Sequence, residues 1–157
     1  MRRPDLFIDS SVLFAGVLSS TGAARALLVL AEAELVTVTV SEQVVTETEH
    51  AVARKILDAL PYYRKALHST GLRIVSDPSS EEVEAHRDLI RHEPDVPIVV
   101  AAMKANVDCL VTFNRRHFID DPQVAERSGL RICAPGDALA WVRGQLAGKA
   151  EGRHRIQ

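Results

Sequence analysis

With 157 residues, 46% of them hydrophobic and 25% charged, the chain is sized for one domain with a full core, not for a small stapled fold. A net charge of −2 excludes a generally basic polyanion-binding surface, so any nucleic-acid contact must rest on a local patch. Aromatic residues at 4% argue against reading single strands with a row of stacking rings.

The chain opens with Leu6-Phe7-Ile8, a short apolar strand that ends on Asp9. Ser10 and Ser11 then start an apolar run to Leu18 with helical spacing, and Thr21-Gly22 breaks it. Ala23–Ala33 is rich in Ala and Leu and predicts a helix. The β-branched run Leu35–Val40 predicts a second strand, after which Ser41 caps a helix from Glu42 to about Asp58. Leu60-Pro61 marks a joint before a helix over Tyr62–Ser69. Thr70-Gly71 closes it, and Leu72–Val75 predicts a third strand. One acidic helix is expected from Glu81 to about His92, then a break at Glu93-Pro94-Asp95-Val96-Pro97, then a buried apolar helix over Ile98–Ala105. Asp108–Thr112 predicts a fourth strand, with Phe113–Phe118 as the loop after it. A short helix from Asp121-Pro122 to Ser128, closed by Gly129, precedes a fifth strand at Leu130–Cys133 and a last helix from Pro135 to about Leu146.

Strands alternate with helices throughout, which predicts an α/β domain with a parallel sheet covered on both faces. The domain is expected to fill residues 1–147, with 148–157 as a frayed, flexible basic tail. Cys109 and Cys133 form no C-x-x-C and read as buried free thiols of a reducing compartment. No apolar run approaches the ~18 residues of a membrane span. Met1-Arg2-Arg3-Pro4 runs almost at once into Asp5 and Asp9, so a cytoplasmic protein without a secretory signal is expected.

The common phosphate-binding and hydrolase signatures, G-x-G-x-x-G, the P-loop and G-x-S-x-G, are absent from the sequence. Glu47-x-x-His50 has the spacing of a di-iron ligand pair, but its only second copy, Glu151-x-x-His154, lies in the Gly-rich tail. What remains is a set of polar groups at strand ends. Asp9 ends strand one, Glu47 lies in the helix after strand two, Asp95 opens the helix before strand four, and Asn114 follows strand four. Ligands of open α/β sheets bind at the carboxyl edge, where Asp9, Glu47 and Asn114 are expected to meet. Hard oxygen donors suit Mg²⁺ or Mn²⁺. Each residue also has a plainer use. Asp9 and Asp95 both occupy positions of helix N-caps. Glu47 and Glu49 border opposite sides of the apolar stripe Ala51–Ile56, and periodicity does not choose between them. Glu93 precedes Pro94 and is expected to point away. Arg115-Arg116-His117 forms a small basic patch beside the acids where a phosphate could dock.

Three segments resemble the PIN domain, a family of metal-dependent nucleases that includes toxins of bacterial toxin–antitoxin pairs. They are Phe7–Gly22 with Asp9, Ser41–Glu47, and Asp95–Asn114, the last being the most specific. The likeness spans about Leu6 to Val142. It implies a three-layer α/β/α fold with a five-stranded parallel sheet in the order 3-2-1-4-5. It favours Glu47 over Glu49 and makes Asp9, Glu47 and Asp95 ligands of Mg²⁺ or Mn²⁺. The activity it implies is endoribonuclease cleavage of RNA by a metal-activated water, leaving 5′-phosphate and 3′-hydroxyl ends. The partners it implies are RNA, a cognate antitoxin and a second copy of the chain in a homodimer. Many family members carry Asp where this chain has Asn114. The amide brings no charge, so one firmly held ion is expected. Asn114 would accept hydrogen bonds or hold a water, Thr112 would orient that water, and Thr112, Arg115 and Arg116 would meet the substrate phosphate. The alternative expectation is a PIN-like module that binds RNA or protein without cutting. A receiver-like domain fits less well, because the segment after Cys133 offers no Lys.

Overall fold

In the computed structural model, which describes residues 2–155, five strands form one parallel sheet in the order β3-β2-β1-β4-β5. The strands are β1 (Asp5–Ile8), β2 (Thr37–Ser41), β3 (Arg73–Val75), β4 (Cys109–Val111) and β5 (Arg131–Cys133). The expected strand order is the observed one. β1 is central, with Phe7 opposite Thr39 of β2 on one side and Leu110 of β4 on the other. Leu6, Phe7 and Ile8 are fully buried, as a strand covered on both faces requires. Each such side chain contributes about 1.5–3 kcal/mol relative to exposure.

The helices are α1 (Ser10–Leu18), α2 (Ala23–Glu32), α3 (Glu42–Lys55), α4 (Leu60–Thr70), α5 (Ser80–Ala85), α6 (Val96–Ala105), α7 (Pro122–Ser128) and α8 (Pro135–His154). α1 to α4 pack together with α8 against α2, while α5 and α7 pack on α6. These two groups are the outer layers of an α/β/α sandwich. α6 is the most deeply buried helix, with Val99, Val100, Ala101 and Ala102 at most 2% exposed, as its apolar sequence predicts. No single described helix is long and apolar enough to cross a membrane.

Two helices differ from expectation. The acidic helix does not run to His92. α5 stops at Ala85, a short 3₁₀ turn covers Arg87–Leu89, and Ile90 is extended. Leu89 and Ile90 are 7% and 3% exposed. The 3₁₀ turn and the extended Ile90 carry both side chains into the core. The second difference is α8, which passes Leu146 and continues to His154. Ala147, Lys149, Ala150 and Glu151 are good helix formers, and the Lys149 ammonium donates to the Arg2 carbonyl at 2.9 Å. Residues 148–154, expected as a tail, continue this helix; Ile156 and Gln157 lie outside the described residues.

At the amino edge of the sheet, Asp5 accepts from the Thr39 hydroxyl at 2.7 Å and pairs with Arg73 at 3.2 Å. Its N–H donates to Asp108 at 2.8 Å. This network ties β1, β2, β3 and the start of β4 together at the end opposite the candidate site. Burial still pushes the Asp5 carboxyl upward, against the Thr39 bond and the Arg73 charge. Cys109 is buried and Cys133 half-buried on neighbouring strands, both as free thiols.

Candidate active site

The site forms where β1 and β4 end. Asp9 leaves β1 with its N–H donating to the Val111 carbonyl at 3.2 Å, so the sheet ladder itself fixes its backbone. It also caps α1: Oδ1 accepts from the Val12 N–H at 3.1 Å and from the Ser11 hydroxyl at 2.6 Å. Oδ2 accepts from the Thr112 hydroxyl. Capping and site placement are thus one arrangement, because a carboxylate that caps the helix after a parallel strand stands at the carboxyl edge. Asp9 is only 8% exposed. Burial pushes its carboxyl above the usual range, the Asp95 charge adds to this, and the three donors oppose it. An acid that is buried, held in one orientation and faced by a second acid is a place where a cation is welcome.

Thr112 is fully buried. Its hydroxyl donates to Asp9 and accepts the Asn114 N–H at 2.9 Å. Thr112, expected at the substrate phosphate, is here enclosed and aligns Asp9. Ser11, which carries no mark in the sequence, plays a matching part. Its Oγ donates to Asp9 and accepts the Phe113 N–H at 3.3 Å, which stitches the segment after β4 onto α1.

The stretch expected as a loop after β4 is a π-helical turn over Arg115–Ile119. Asn114 caps it, with Oδ1 accepting the His117 N–H at 3.1 Å and Nδ2 at 3.1 Å from His117 Nδ1. Its carbonyl oxygen does accept a hydrogen bond, but both ends of the amide are committed to His117. Arg115 and Arg116 are exposed, Arg115 lying 3.9 Å from Asp120.

Asp95 stands at the N-terminus of α6 without capping it, its backbone already helical and its side chain making no cap bond. The carboxylate instead turns to His92, with Oδ2 2.8 Å from Nδ1 and 3.6 Å from His117 Nδ1. Glu93 points elsewhere, pairing with Arg87 at 3.2 Å.

On α3 the two candidate acids differ in their partners. Glu49 pairs with Arg64 at 2.8 Å. Glu47 is exposed and accepts only from the Gln43 amide at 2.7 Å; among the described residues it has no ion pair. The carboxylates of Asp9, Glu47 and Asp95 are not gathered within 4.8 Å of one another among the described residues; the group that is so gathered is His92, Asp95 and His117. The donor chemistry of the three acids nonetheless fits a hard divalent ion, and the Asp95 charge is near enough to add to the upward push on the Asp9 carboxyl.

Beside this cluster a cleft of about 510 Å³ is lined by Arg91, His92, Arg116, His117, Asp120 and Asp121. Arg91 and His92 are the functional candidates that the sequence hides. Both fall at the end of the expected acidic helix, and the break after Ala85 brings them to the cleft.

Comparison with solved structures gives the same fold. PAE2754 from Pyrobaculum aerophilum matches with a TM-score of 0.63 at 16% identity, over 90% of each chain. VapBC2 from Rickettsia felis, solved bound to a DNA fragment from its promoter, matches with a TM-score of 0.58 at 17% identity, over 83% of this chain and 98% of that one. VapC20 from Mycobacterium tuberculosis, a sarcin-ricin loop cleaving toxin, matches with a TM-score of 0.52 at 18% identity, over 71% and 91%. No curated protein sequence matches the chain. The model of the PIN domain matches residues 5–116, a span that runs from the first strand through the Asp9, Glu47, Asp95 and Asn114 positions. Covering well over half of the sequence, that match shows that the chain belongs to the PIN domain family.

Proposed function

We propose that this protein is a divalent-metal-dependent endoribonuclease that acts as the toxin of a toxin–antitoxin pair. The observation that carries the reading is the chain of contacts that joins Asp9 through Thr112, Asn114 and His117 to Asp95 at the carboxyl edge of the central strand, beside the cleft lined by Arg91 and Arg116. Asp9, Glu47 and Asp95 would hold Mg²⁺ or Mn²⁺, and the ion would supply Lewis-acid chemistry at a phosphodiester. The residues of the chain supply the rest. Thr112 and Ser11 hold the Asp9 carboxylate in one orientation. Arg91 and Arg116 offer charge to phosphate oxygens, the local basic patch that a chain of net charge −2 requires. The likeness to VapBC2 and VapC20 supports a toxin that pairs with an antitoxin, and such a pair would act in the cytoplasm. Exposed Ile56, Leu57 and Tyr62, around the joint between α3 and α4, give a partner protein or a second copy an apolar surface.

The test is incubation of the purified chain with structured RNA and Mg²⁺ or Mn²⁺, with the new ends mapped. Cleavage to 5′-phosphate and 3′-hydroxyl ends, abolished by chelation, supports the reading. Intact RNA in the presence of demonstrated metal binding refutes it. One observation favours a second reading, a module that binds without cutting. Asn114 stands where the family often has an acid, and its amide is tied at both ends to His117. If Asn114→Asp creates cleavage that the native chain lacks, the native protein is the binder.

A further inference from the structure

His92, Asp95 and His117 converge from two separate segments. His92 lies in extended backbone before the turn that opens α6, and His117 lies in the π-helical turn after β4. The two imidazoles stack at 4.5 Å between centroids and 18° between planes, with both Nδ1 edges toward the same Asp95 oxygen. A tetrahedral ion with bonds of about 2.0–2.1 Å sets its donors about 3.3 Å apart. The observed separations from Asp95 Oδ2, 2.8 Å and 3.6 Å, bracket that spacing.

Proton placement shows what the cluster lacks. Asn114 Oδ1 accepts the His117 N–H, so its Nδ2 end faces the ring and donates to His117 Nδ1. Nδ1 of His117 is then a lone pair, 3.6 Å from an anionic oxygen, with no proton to place between them. A cation between the rings and the carboxylate turns that repulsion into three attractive contacts, in competition with the Asn114 amide and with the proton that His92 Nδ1 shares with Asp95.

We infer that His92, Asp95 and His117 form a binding site for a divalent transition metal of the Zn²⁺ class. Two imidazoles and one carboxylate suit Zn²⁺, Co²⁺ or Fe²⁺, whereas Mg²⁺ prefers oxygen donors. The site shares Asp95 with the proposed acid set but differs from it in donor chemistry. It stands whether or not the protein cuts RNA.

The test uses the full chain stripped of metal, with Co²⁺ as the spectroscopic probe and Zn²⁺ as competitor. One equivalent of Co²⁺ is expected to bind with visible d–d absorption, to be displaced by Zn²⁺ and to resist millimolar Mg²⁺. His92→Gln and His117→Gln are each expected to weaken binding ten-fold or more, and His50→Gln, at an exposed histidine outside the cluster, to leave it unchanged. The two histidine side chains are 46% and 34% exposed, and a thermal melt checks that each variant is folded. A readout without variants is carbethoxylation followed by mass spectrometry, where Zn²⁺ is expected to protect His92 and His117 together. No Co²⁺ binding, binding that survives substitution of His92 or His117, loss on His50→Gln, or unprotected His92 and His117 overturns the inference. RNA is absent from every arm, so failure here leaves the nuclease reading untouched, and failure of cleavage leaves this site untouched.

Discussion

Replacing Thr112 with valine keeps the shape of a fully buried side chain and removes one oxygen. That oxygen donates to the Asp9 carboxylate and accepts the Asn114 N–H at 2.9 Å. A hydrogen bond to a charged group is worth about 1.5–3 kcal/mol, and an amide left without its partner costs about 1–3 kcal/mol. Against this stands the gain of about 1 kcal/mol from burying a methyl group in place of the hydroxyl. The net loss is about 3 kcal/mol. In a domain of this size each kcal/mol moves Tm by about 2–4 °C, so Thr112→Val should melt about 6–12 °C lower by calorimetry. Thr112→Ser keeps both hydrogen bonds and should lose only about 1 kcal/mol for the missing methyl group. Because Asp9 in the valine variant lacks one of its three holders, Mn²⁺ affinity by titration calorimetry should fall about 10- to 100-fold. A Thr112→Val protein as stable as the native one, or one that binds Mn²⁺ equally well, would refute the idea that Thr112 exists to hold Asp9.

Three further outcomes are expected. Gly16→Ala places a Cβ 2.7 Å from Leu28 Cδ1 and 3.1 Å from the Ala24 carbonyl oxygen, where α1 packs on α2. Overpacking should outweigh the gain in helix propensity and cost about 1–2 kcal/mol in urea unfolding; a stabilised variant would contradict this. Asp5 is expected to shape the pH dependence of stability. Its carboxyl is raised above 3.8 by burial, so the folded chain holds that proton to higher pH than the unfolded chain. Its contribution therefore favours the fold less as pH rises from about 3.8 through the raised value, and urea midpoints across this range should show a flatter curve for Asp5→Asn. Alanine at Arg91 or Arg116 should weaken RNA binding and reduce the salt slope by roughly 0.7 for each phosphate no longer neutralised, measured by fluorescence anisotropy at several salt concentrations.

Much of the architecture is legible because buried parallel strands leave plain marks. Leu6–Ile8 and Val36–Val40 are apolar or β-branched runs, and each is followed by a residue that caps a helix, Asp9 and Ser41. The same logic puts Asp9, Thr112 and Asn114 at one edge, since each lies within three residues of a strand's end. Asp95 is ambiguous in the sequence for a physical reason. A helix cap and a site acid occupy the same position, and only the side-chain direction, toward His92, separates them. His92 itself is out of reach of local patterns. Glu81–His92 is full of helix formers, yet the helix breaks at His86 and Leu89 and Ile90 beyond the break are buried in the core, so tertiary packing overrides local propensity there. Glu47 and Glu49 are separated in the same way, by the Arg64 of a neighbouring helix.

Asp9→Asn is the most direct test of the nuclease reading. The substitution keeps the size of the side chain and leaves an oxygen to accept the Ser11 and Val12 bonds, but it removes the charge at the centre of the proposed metal set. Mn²⁺ binding and RNA cleavage should be measured side by side on the native and Asp9→Asn proteins, with a melt to show that both are folded. The native chain is expected to bind Mn²⁺ and cut RNA, and the variant to lose both while remaining folded. Undiminished cleavage by folded Asp9→Asn protein would contradict the nuclease reading.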